Sequence, residues 1–155
     1  DPGRMVKVER EDCVMLLAKM ANGGLGNLEA TKIATGTEDE VRLEIHGSNG
    51  ALRFNGMDPH HLEIWDQGAA SKPIGGVQGW TRVPCGQRYP VPATGFPAPK
   101  ASIGWMRGHM ASLANFLFDI AAGKPGDPGL AQGIYIQRLM EACRRSDAEG
   151  AWITL

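Results

Sequence analysis

The apolar residues of this chain change their spacing partway along the sequence, and this change constrains the fold more than any other feature. In the stretch 41–46 every second residue is apolar, which is the period of a half-buried β-strand. Beyond about Ile103 the apolar residues recur three and four positions apart, as they do along one side of an α-helix. Strands that precede helices, instead of alternating with them, predict an α+β fold built on an antiparallel sheet.

Five strands joined by short turns are predicted before residue 67. The clearest turn signal is Asn22-Gly23-Gly24, whose residues tolerate positive φ and suit a hairpin. Together the strands would form an antiparallel meander, with 80–83 as a further edge strand. The five predicted segments are 12–20, 25–35, 41–46, 51–54 and 62–65.

Two amphipathic helices and a final strand are predicted after the sheet. The first helix starts at about Ile103 and ends at Gly123, which a proline follows two residues later. Asp127 is the predicted N-cap of the second helix, with a proline in its first turn. We expect both helices to pack on one face of an open, mostly antiparallel sheet. Residues 151–155 are expected to return to that sheet as its last strand.

The first predicted strand is apolar on both of its sides. Alternation puts Cys13, Met15 and Leu17 on one side, and Val14, Leu16 and Ala18 on the other. Two helices can cover only one face of a sheet, so an apolar face is expected to remain open. Such a face predicts burial against another domain or a second subunit.

A segment rich in glycine and proline, 67–102, separates the strands from the helices. Its prolines are too closely spaced for a helix or a central strand. Loops of this length are uncommon in compact domains unless they cover a site or an interface. The whole chain of 155 residues suffices for one domain with a core. We therefore predict a single domain over residues 1–155, with this loop inside it.

Charge and composition exclude several classes of function. The 16 basic and 17 acidic residues give a net charge of -1, which does not favour nucleic acid or an anionic membrane as a partner. No apolar stretch approaches the roughly 20 residues of a membrane span, and no signal peptide opens the chain. The three cysteines lie far apart, which favours free thiols over disulfides or a zinc site. We expect a reducing cytoplasm as the location and no bound metal.

Two motifs that suggest a ligand are set aside. Gly23, Gly24, Gly26 and Gly36 lack the G-x-G-x-x-G spacing, and their segment joins two strands instead of opening a helix, so no nucleotide site is predicted in this chain. His60 and His61 are adjacent on a strand and point to opposite faces, which favours a solvated turn over a metal site. No spacing indicates a Ser-His-Asp or Cys-His arrangement, and no catalytic residue is predicted.

Five residues are candidates for contact with a small substrate. His109 opens the first helix, just after Trp105 and Arg107, and an imidazole there could bind a polyol hydroxyl beside these two side chains. The alternative is an ordinary, partly exposed helix histidine. Thr31 and Lys32 follow the first hairpin, where one of them must point away from the helices and could meet substrate. The alternative for this pair is a solvated position on a strand.

Three segments, in order, resemble one known family. Residues 21–31 (ANGGLGNLEAT) and 43–52 (LEIHGSNGAL) resemble the hairpin and the strand-turn-strand of the glucose–fructose oxidoreductase, inositol dehydrogenase and rhizopine-catabolism (Gfo/Idh/MocA) family. The stretch 116–150, with Phe116, Gly123 and Gly150 in place, resembles the family's C-terminal helices. The resemblance covers nearly the whole chain and is weakest over 67–102.

The resemblance implies the C-terminal domain of a two-domain dehydrogenase. In that family an N-terminal Rossmann domain binds NAD or NADP, and the substrates are sugars, polyols and inositols. Its catalytic lysine and histidine lie in segments that precede this domain, and their motifs are absent here, so no catalytic residue is carried over. The resemblance implies a wall of the substrate pocket and an open sheet face that mediates homodimer formation.

Three functional hypotheses follow from these observations. The first is the C-terminal, substrate-binding and oligomerisation domain of an NAD(P)-dependent oxidoreductase, inactive alone and lacking its dinucleotide-binding domain. The second is a free-standing ligand-binding or scaffold module that reuses the same fold. The third is a non-redox sugar-modifying enzyme with its chemistry in the proline-rich loop.

Overall fold

The computed structural model describes residues 3, 5, 7, 10–86 and 104–155. Within these ranges six strands are followed by two helices, which confirms the α+β class with open, antiparallel sheets. Neither described helix combines the length and the apolarity needed to cross a bilayer. The elements are β1 (Cys13–Lys19), β2 (Leu25–Thr31), β3 (Arg42–Gly47), β4 (Gly50–Asn55), β5 (His61–Asp66), β6 (Trp80–Pro84), α1 (Trp105–Ala121) and α2 (Leu130–Glu149).

The strands form two sheets, so the prediction of a single five-stranded meander was wrong. One sheet contains β1 and β2, and the other contains β3 to β6. The chain divides accordingly into two compact units, residues 1–37 with 134–155 and residues 38–133. The predicted second strand stops at Thr31 instead of residue 35, because the Thr31 hydroxyl accepts the Ile33 N–H at 3.3 Å and turns the chain. The segment that follows, 32–41, is too long for a hairpin turn.

The β1–β2 hairpin confirms the turn predicted at Asn22-Gly23-Gly24. The Asn22 side chain accepts the Gly24 N–H at 3.0 Å, and Gly23 has a φ of 86°, which a residue with a Cβ rarely adopts. Exposure alternates along β1, as the sequence predicts for a sheet with an open face. Met15 and Leu17 are 74% and 71% exposed, and their neighbours on the other face are half-buried.

The second sheet has four antiparallel strands in the order β3-β4-β5-β6, with β6 as the edge strand that the sequence predicts. Its register gives it two unlike faces. One face is mainly apolar and consists of Leu43, Ile45, Leu52, Phe54, Leu62, Ile64, Thr81 and Val83. The other face is mainly charged and aromatic. The turn between β3 and β4 requires Gly50, whose φ is 158° and whose backbone lies against the Trp65 carbonyl.

Helix α1 ends as the sequence predicts. Gly123 has a φ of 62°, its N–H donates to the Ile120 carbonyl at 3.1 Å, and the Lys124 N–H donates to the Asp119 carbonyl at 2.9 Å. These two bonds form a Schellman motif, which satisfies carbonyls that the helix end leaves free. At its other end the helix begins at Trp105, and Gly104 supplies no side-chain cap. The predicted start, Ile103, lies outside the described residues.

Helix α2 begins two residues later than a cap at Asp127 requires, so that prediction was wrong. Gly129 is the N-cap, because its carbonyl accepts the Gly133 N–H at 3.1 Å. The Gln132 side chain accepts the Gly129 N–H at 2.9 Å, as the third residue of a capping box does. Asp127 instead accepts a hydrogen bond from the Gln132 amide at 3.4 Å, which orients that amide towards Gly129.

The predicted last strand, 151–155, is absent, and that prediction was wrong. The Ala151 N–H donates to the Ser146 carbonyl at 3.3 Å, and the Ser146 hydroxyl donates to the Ala151 carbonyl at 2.7 Å. These bonds tie Ala151 to the last turns of α2. A strand over 151–155 would instead need a neighbouring strand as its partner. Trp152 then lies beside Lys19, whose ammonium is 4.8 Å from the centre of a Trp152 ring.

Candidate functional site

Four residues of alternating charge lie side by side across the four-stranded sheet. In the register of β3 to β6, Glu44 lies opposite Arg53, Arg53 lies opposite Glu63, and Glu63 lies opposite Arg82. We call these four residues the charge row. Because directly opposite residues of an antiparallel pair have neighbouring Cβ atoms, alternating charges favour this register.

Arg53 connects the charge row to the aromatic part of the same face. Its Nε atom donates to Oε1 of Glu44 at 2.8 Å, and its guanidinium carbon lies 3.9 Å from the centre of a Trp80 ring. The hydrogen bond from Arg53 is the largest cause that lowers the pKa of Glu44, and His46 adds a second bond at 2.9 Å. Trp80 in turn packs edge-to-face on Trp65 with ring centres 6.0 Å apart. Arg53 is therefore held in one orientation by an anion and a ring.

At the other end of the row, Arg82 pairs with Asp58. Oδ1 of Asp58 lies 2.9 Å from Nδ1 of His61, which lies 3.0 Å from the Arg82 guanidinium. The hydrogen bond from His61 is the main cause that lowers the pKa of Asp58, followed by the bond and charge of Arg82. Asp58 is thus held as a carboxylate between two donors.

Among the described residues, Glu63 is the carboxylate of the charge row that has no cationic partner. Both of its cross-strand neighbours form ion pairs with other carboxylates. Arg53 pairs with Glu44, and Arg82 pairs with Asp58. Within the described ranges no lysine, arginine or histidine nitrogen lies within 4.0 Å of the Glu63 carboxylate, although the residue is half-buried. An ionised carboxylate in this position favours a donor from outside the sheet.

The charge row forms the floor of an open groove of about 410 Å³. Guanidinium groups can donate to hydroxyl or anionic oxygens there, and the carboxylates can accept hydrogen bonds. In the described part of the chain, no three His, Cys, Asp or Glu side chains gather as metal ligands would. The groove is lined by Arg42, Leu43, Glu44, Arg53, Phe54, Asn55, Asp58, His61, Glu63 and Arg82.

The candidates predicted around His109 all lie in the first turns of α1. Trp105 and His109 are four positions apart and share one side of the helix, whereas Arg107 lies on the opposite side. Trp105 is 49% exposed, and its indole lies close to Gly56, in the turn that follows β4. His109 is exposed and Arg107 is half-buried. The indole and the imidazole therefore lie on the same side of α1. Their contact with a substrate stays a prediction.

Thr31 and Lys32 lie in the other compact unit. Thr31 pairs with Cys13 at the end of the hairpin, which puts it on the same face as the exposed Met15. Nζ of Lys32 lies 2.8 Å from Oδ1 of Asp12, and its backbone N–H donates to the Asp12 carbonyl at 3.0 Å. Lys32 thus pairs with Asp12, and the Thr31 hydroxyl accepts the Ile33 N–H. Their role in substrate binding stays a prediction.

The contacts around Asp58 and the charge row were missed by the sequence analysis. His60 and His61 were interpreted as a solvated turn, but both are half-buried, and His61 opens β5. The spacing of Asp58 and His61, three positions apart across a proline, was a local signal for this contact. The charge row had no such signal, because its four members come from four strands and their alignment depends on the register.

The glycine-rich turn does not fit a nicotinamide dinucleotide. A Rossmann site needs a glycine turn from a strand into a helix, whose N-terminus faces the pyrophosphate. Here Gly23 and Gly24 connect two antiparallel strands, β1 and β2. This turn therefore offers no such site.

Comparison with known proteins agrees with this architecture. A family model described as "Oxidoreductase family, C-terminal alpha/beta domain" matches residues 1–155. A levoglucosan dehydrogenase from Pseudarthrobacter phenanthrenivorans is 28% identical over 146 residues, which are 94% of this chain and 36% of that protein. The chain thus spans little more than a third of this relative's length.

Solved structures give the same result. An oxidoreductase domain protein from Kribbella flavida is 29% identical, with a TM-score of 0.81 over 92% of this chain and 36% of that chain. A levoglucosan dehydrogenase in complex with NADH and L-sorbose is 27% identical, with a TM-score of 0.87 over 98% of this chain and 40% of that chain. The complex with NADH and levoglucosan is 28% identical, with a TM-score of 0.83 over 94% and 39%. Because the family model matches the whole sequence, this chain belongs to the Gfo/Idh/MocA oxidoreductase family as its C-terminal alpha/beta domain.

Proposed function

We propose that this chain is the substrate-binding and oligomerisation domain of a cytoplasmic, NAD(P)-dependent dehydrogenase that acts on a sugar, polyol or inositol-like substrate. The observation that carries the proposal is the match of all 155 residues to the family's C-terminal domain. Similar structures of levoglucosan dehydrogenase contain NADH together with levoglucosan or L-sorbose. These ligands support a hydroxylated substrate and a nicotinamide for the present protein.

In this proposal the chain contributes a wall of the pocket and no reacting group. The exposed pair Trp105 and His109 suits a sugar, because an indole can cover the C–H face of a sugar ring and an imidazole can bond its hydroxyls. Arg107, Thr31 and Lys32 are further candidates. The hydride acceptor would be the nicotinamide of an NAD or NADP that a dinucleotide-binding domain holds. The described residues are expected to be inactive without one.

Steady-state oxidation of a panel of sugars and polyols tests this function in the protein at its natural length. We expect reduction of NAD or NADP with at least one substrate, followed by nicotinamide absorbance. His109→Ala is expected to raise KM about tenfold, because a bond made equally to the bound substrate and the transition state is lost. Asn115→Ala, at another exposed position of α1, is the matched control and should leave KM unchanged.

Two results would decide between this function and its rival. Sugar binding without any nicotinamide-dependent turnover would contradict the dehydrogenase and support a free-standing ligand-binding module. An unchanged KM in the His109→Ala variant would remove this side chain from the pocket and leave the dehydrogenase proposal standing.

Homodimer formation through the open sheet face is the second part of the proposal. Its support is the four-stranded sheet, whose charged face bears Trp65, Trp80 and Arg53, residue types enriched at protein interfaces. Sedimentation equilibrium of the protein at its natural length should yield twice the mass of one chain. A monomer at micromolar concentration would contradict this part alone.

A further inference from the structure

We infer that two copies of this protein pair through the charge row with their strands side by side, about a two-fold axis parallel to the strands. The inference rests on the homodimer of the proposed function and goes further, because it specifies the face, the orientation and the residues that meet. It is carried by the order of charges across the sheet and by the unpaired carboxylate of Glu63.

The order of the charges distinguishes the two ways in which one sheet face can meet its own copy. A two-fold axis parallel to the strands reverses the order of the strands and keeps the level along them. The row Glu44, Arg53, Glu63, Arg82 then meets itself reversed, so that every carboxylate faces a guanidinium. Glu63 faces Arg53 of the second copy, and Glu44 faces its Arg82.

A two-fold axis perpendicular to the strands gives the opposite result. It keeps the order of the strands, so each member of the row faces the same residue of the second copy. Four like-charge contacts would then lie in one interface, and like charges that face each other across an interface oppose association. The charge row therefore permits one orientation and opposes the other.

The neighbouring row of residues fits the same orientation. It consists of His46, Ala51, Trp65 and Trp80, aligned across the four strands. Reversal places Ala51, the most buried residue of the described chain, opposite the large Trp65 of the second copy. A small residue against an indole is the pairing that lets two sheet faces approach closely.

The Glu63 carboxylate would gain in the dimer a cationic partner that it lacks in the single chain. It is half-buried and unpaired within the described residues, because Arg53 and Arg82 are bound to Glu44 and Asp58. A guanidinium of the second copy would give its carboxylate a partner, and a charge-assisted bond of this kind contributes more than a neutral one. Arg53 can serve two carboxylates at once, since its guanidinium carries five N–H donors.

The opposite face of the same sheet is a poorer candidate. Its side chains, among them Leu43, Ile45 and Leu52, carry no charges that could select an orientation. Leu43 and Ile45 on this face are 56% and 51% exposed, and no pattern on it distinguishes a second copy of this chain from another domain or from a helix. The charge row is therefore the face that specifies a second copy.

The charge row is the centre of the inferred interface and not the whole of it. Four strands of about six residues cover about 20 Å by 20 Å, or about 400 Å². A stable interface buries about 800 Å² per partner. Surface around the groove therefore adds area, and the row determines the orientation.

Charge reversal in trans tests the inference. In Glu63→Arg the new arginine faces Arg53 of the second copy, and in Arg53→Glu the new glutamate faces Glu63. Each variant alone should dimerise at least about tenfold more weakly than the parent protein. A mixture of the two should form a heterodimer, because both contacts regain opposite charges. The double variant Glu63→Arg/Arg53→Glu should dimerise with itself for the same reason.

Arg138→Glu is the matched control. It makes the same change in charge at an exposed position of α2, outside the sheet and outside the lining of the groove. It should dimerise like the parent. Sedimentation equilibrium of the protein at its natural length gives each dissociation constant, and circular dichroism shows whether each variant is folded. If Arg53→Glu does not fold, the parent dimer itself serves, and its dissociation constant should rise with salt.

Three outcomes would overturn the inference. Single variants that dimerise as tightly as the parent would remove the charge row from the interface. A Glu63→Arg chain that binds the parent chain more tightly than the parent binds itself would indicate the perpendicular axis, in which Glu63 faces itself. A dimer whose dissociation constant is independent of salt would also contradict the pairing. Because these measurements do not involve turnover, failure of the dehydrogenase proposal would be seen separately, as the absence of nicotinamide reduction.

Discussion

Glu63 lies directly opposite Arg82 in the register of β5 and β6, and yet the two side chains do not pair. Arg82 instead turns towards Asp58, in the turn between β4 and β5, and His61 completes that cluster. The loss of an expected cross-strand pair has two consequences. The turn before β5 is tied to the edge strand β6, and Glu63 is left as an available acceptor in the middle of the sheet.

Acidification should weaken the tie between Asp58 and Arg82. The pKa of Asp58 is lowered below 3.8 in the folded protein, mainly by the hydrogen bond from His61 and then by Arg82. Since the folded value lies below the unfolded one, the unfolded chain binds the proton first, and the stabilisation is complete above the unfolded pKa. It is lost as the pH falls through the lowered folded value.

The measurement is a series of urea unfolding midpoints between about pH 6 and about pH 2.5. The midpoint of the parent protein should fall at the acid end more steeply than that of Asp58→Asn, which cannot titrate at this position. Equal slopes would show that the cluster contributes no stability. Asp66→Asn, whose side chain binds only the nearby Gly68 N–H, provides the comparison.

Two glycines, one inside α1 and one just after its end, should respond in opposite directions to alanine. Gly123 has a φ of 62° in the Schellman motif after α1, and Gly123→Ala should cost about 1 kcal/mol because the alanine Cβ disfavours that φ. Gly108 lies inside α1 with nothing within 4 Å of a new Cβ, so Gly108→Ala should add up to about 1 kcal/mol. Free energies of unfolding from urea titration measure both changes. Equal effects at the two positions would contradict the left-handed cap.

Alanine at Gly50 should be more damaging than at either position. A Cβ on this residue would run into the Trp65 carbonyl of the neighbouring strand, and the φ of 158° is already rare for other residues. We expect Gly50→Ala to cost more than about 2 kcal/mol, because two backbones must move apart. Gly79, with open space around it and an ordinary φ, is the control for the same substitution. A Gly50→Ala protein with the parent midpoint of unfolding would refute the close approach of β4 and β5.

The stack of Arg53 on Trp80 should be worth more than an exposed ion pair. Trp80→Leu keeps an apolar side chain but removes the ring, and should cost about 1 kcal/mol. Lys32→Ala removes an exposed pair with Asp12 and should cost less than about 0.5 kcal/mol. Urea titration of both variants gives the comparison. A smaller effect at Trp80 than at Lys32 would show that the ring contact stabilises nothing.

Features fixed by neighbouring residues were predictable from the sequence. The Asn22-Gly23-Gly24 turn, the alternation along β1 and the helix end at Gly123 each depend on local chemistry, and the structure confirms them. The half-burial predicted for 41–46 was wrong, because every residue of β3 is exposed. The α+β class followed from the change of hydrophobic period.

Features that depend on distant partners were not predictable. The division into two sheets turns on whether β2 pairs with β3, and residues 151–155 lack a strand partner in the described chain. The cap of α2 shifted from Asp127 to Gly129 because Gln132 competes for the same turn. The charge row required the register of four strands, which no single segment encodes.

The exposed side of β1 has a practical consequence. Met15 is 74% exposed there, and the thioether of an accessible methionine is readily converted to the sulfoxide by peroxide. The hairpin therefore carries its own chemical reporter. Rapid sulfoxidation of Met15 would mean that solvent reaches this side of the strand in the assembled protein, and slow sulfoxidation would mean that another polypeptide shields it.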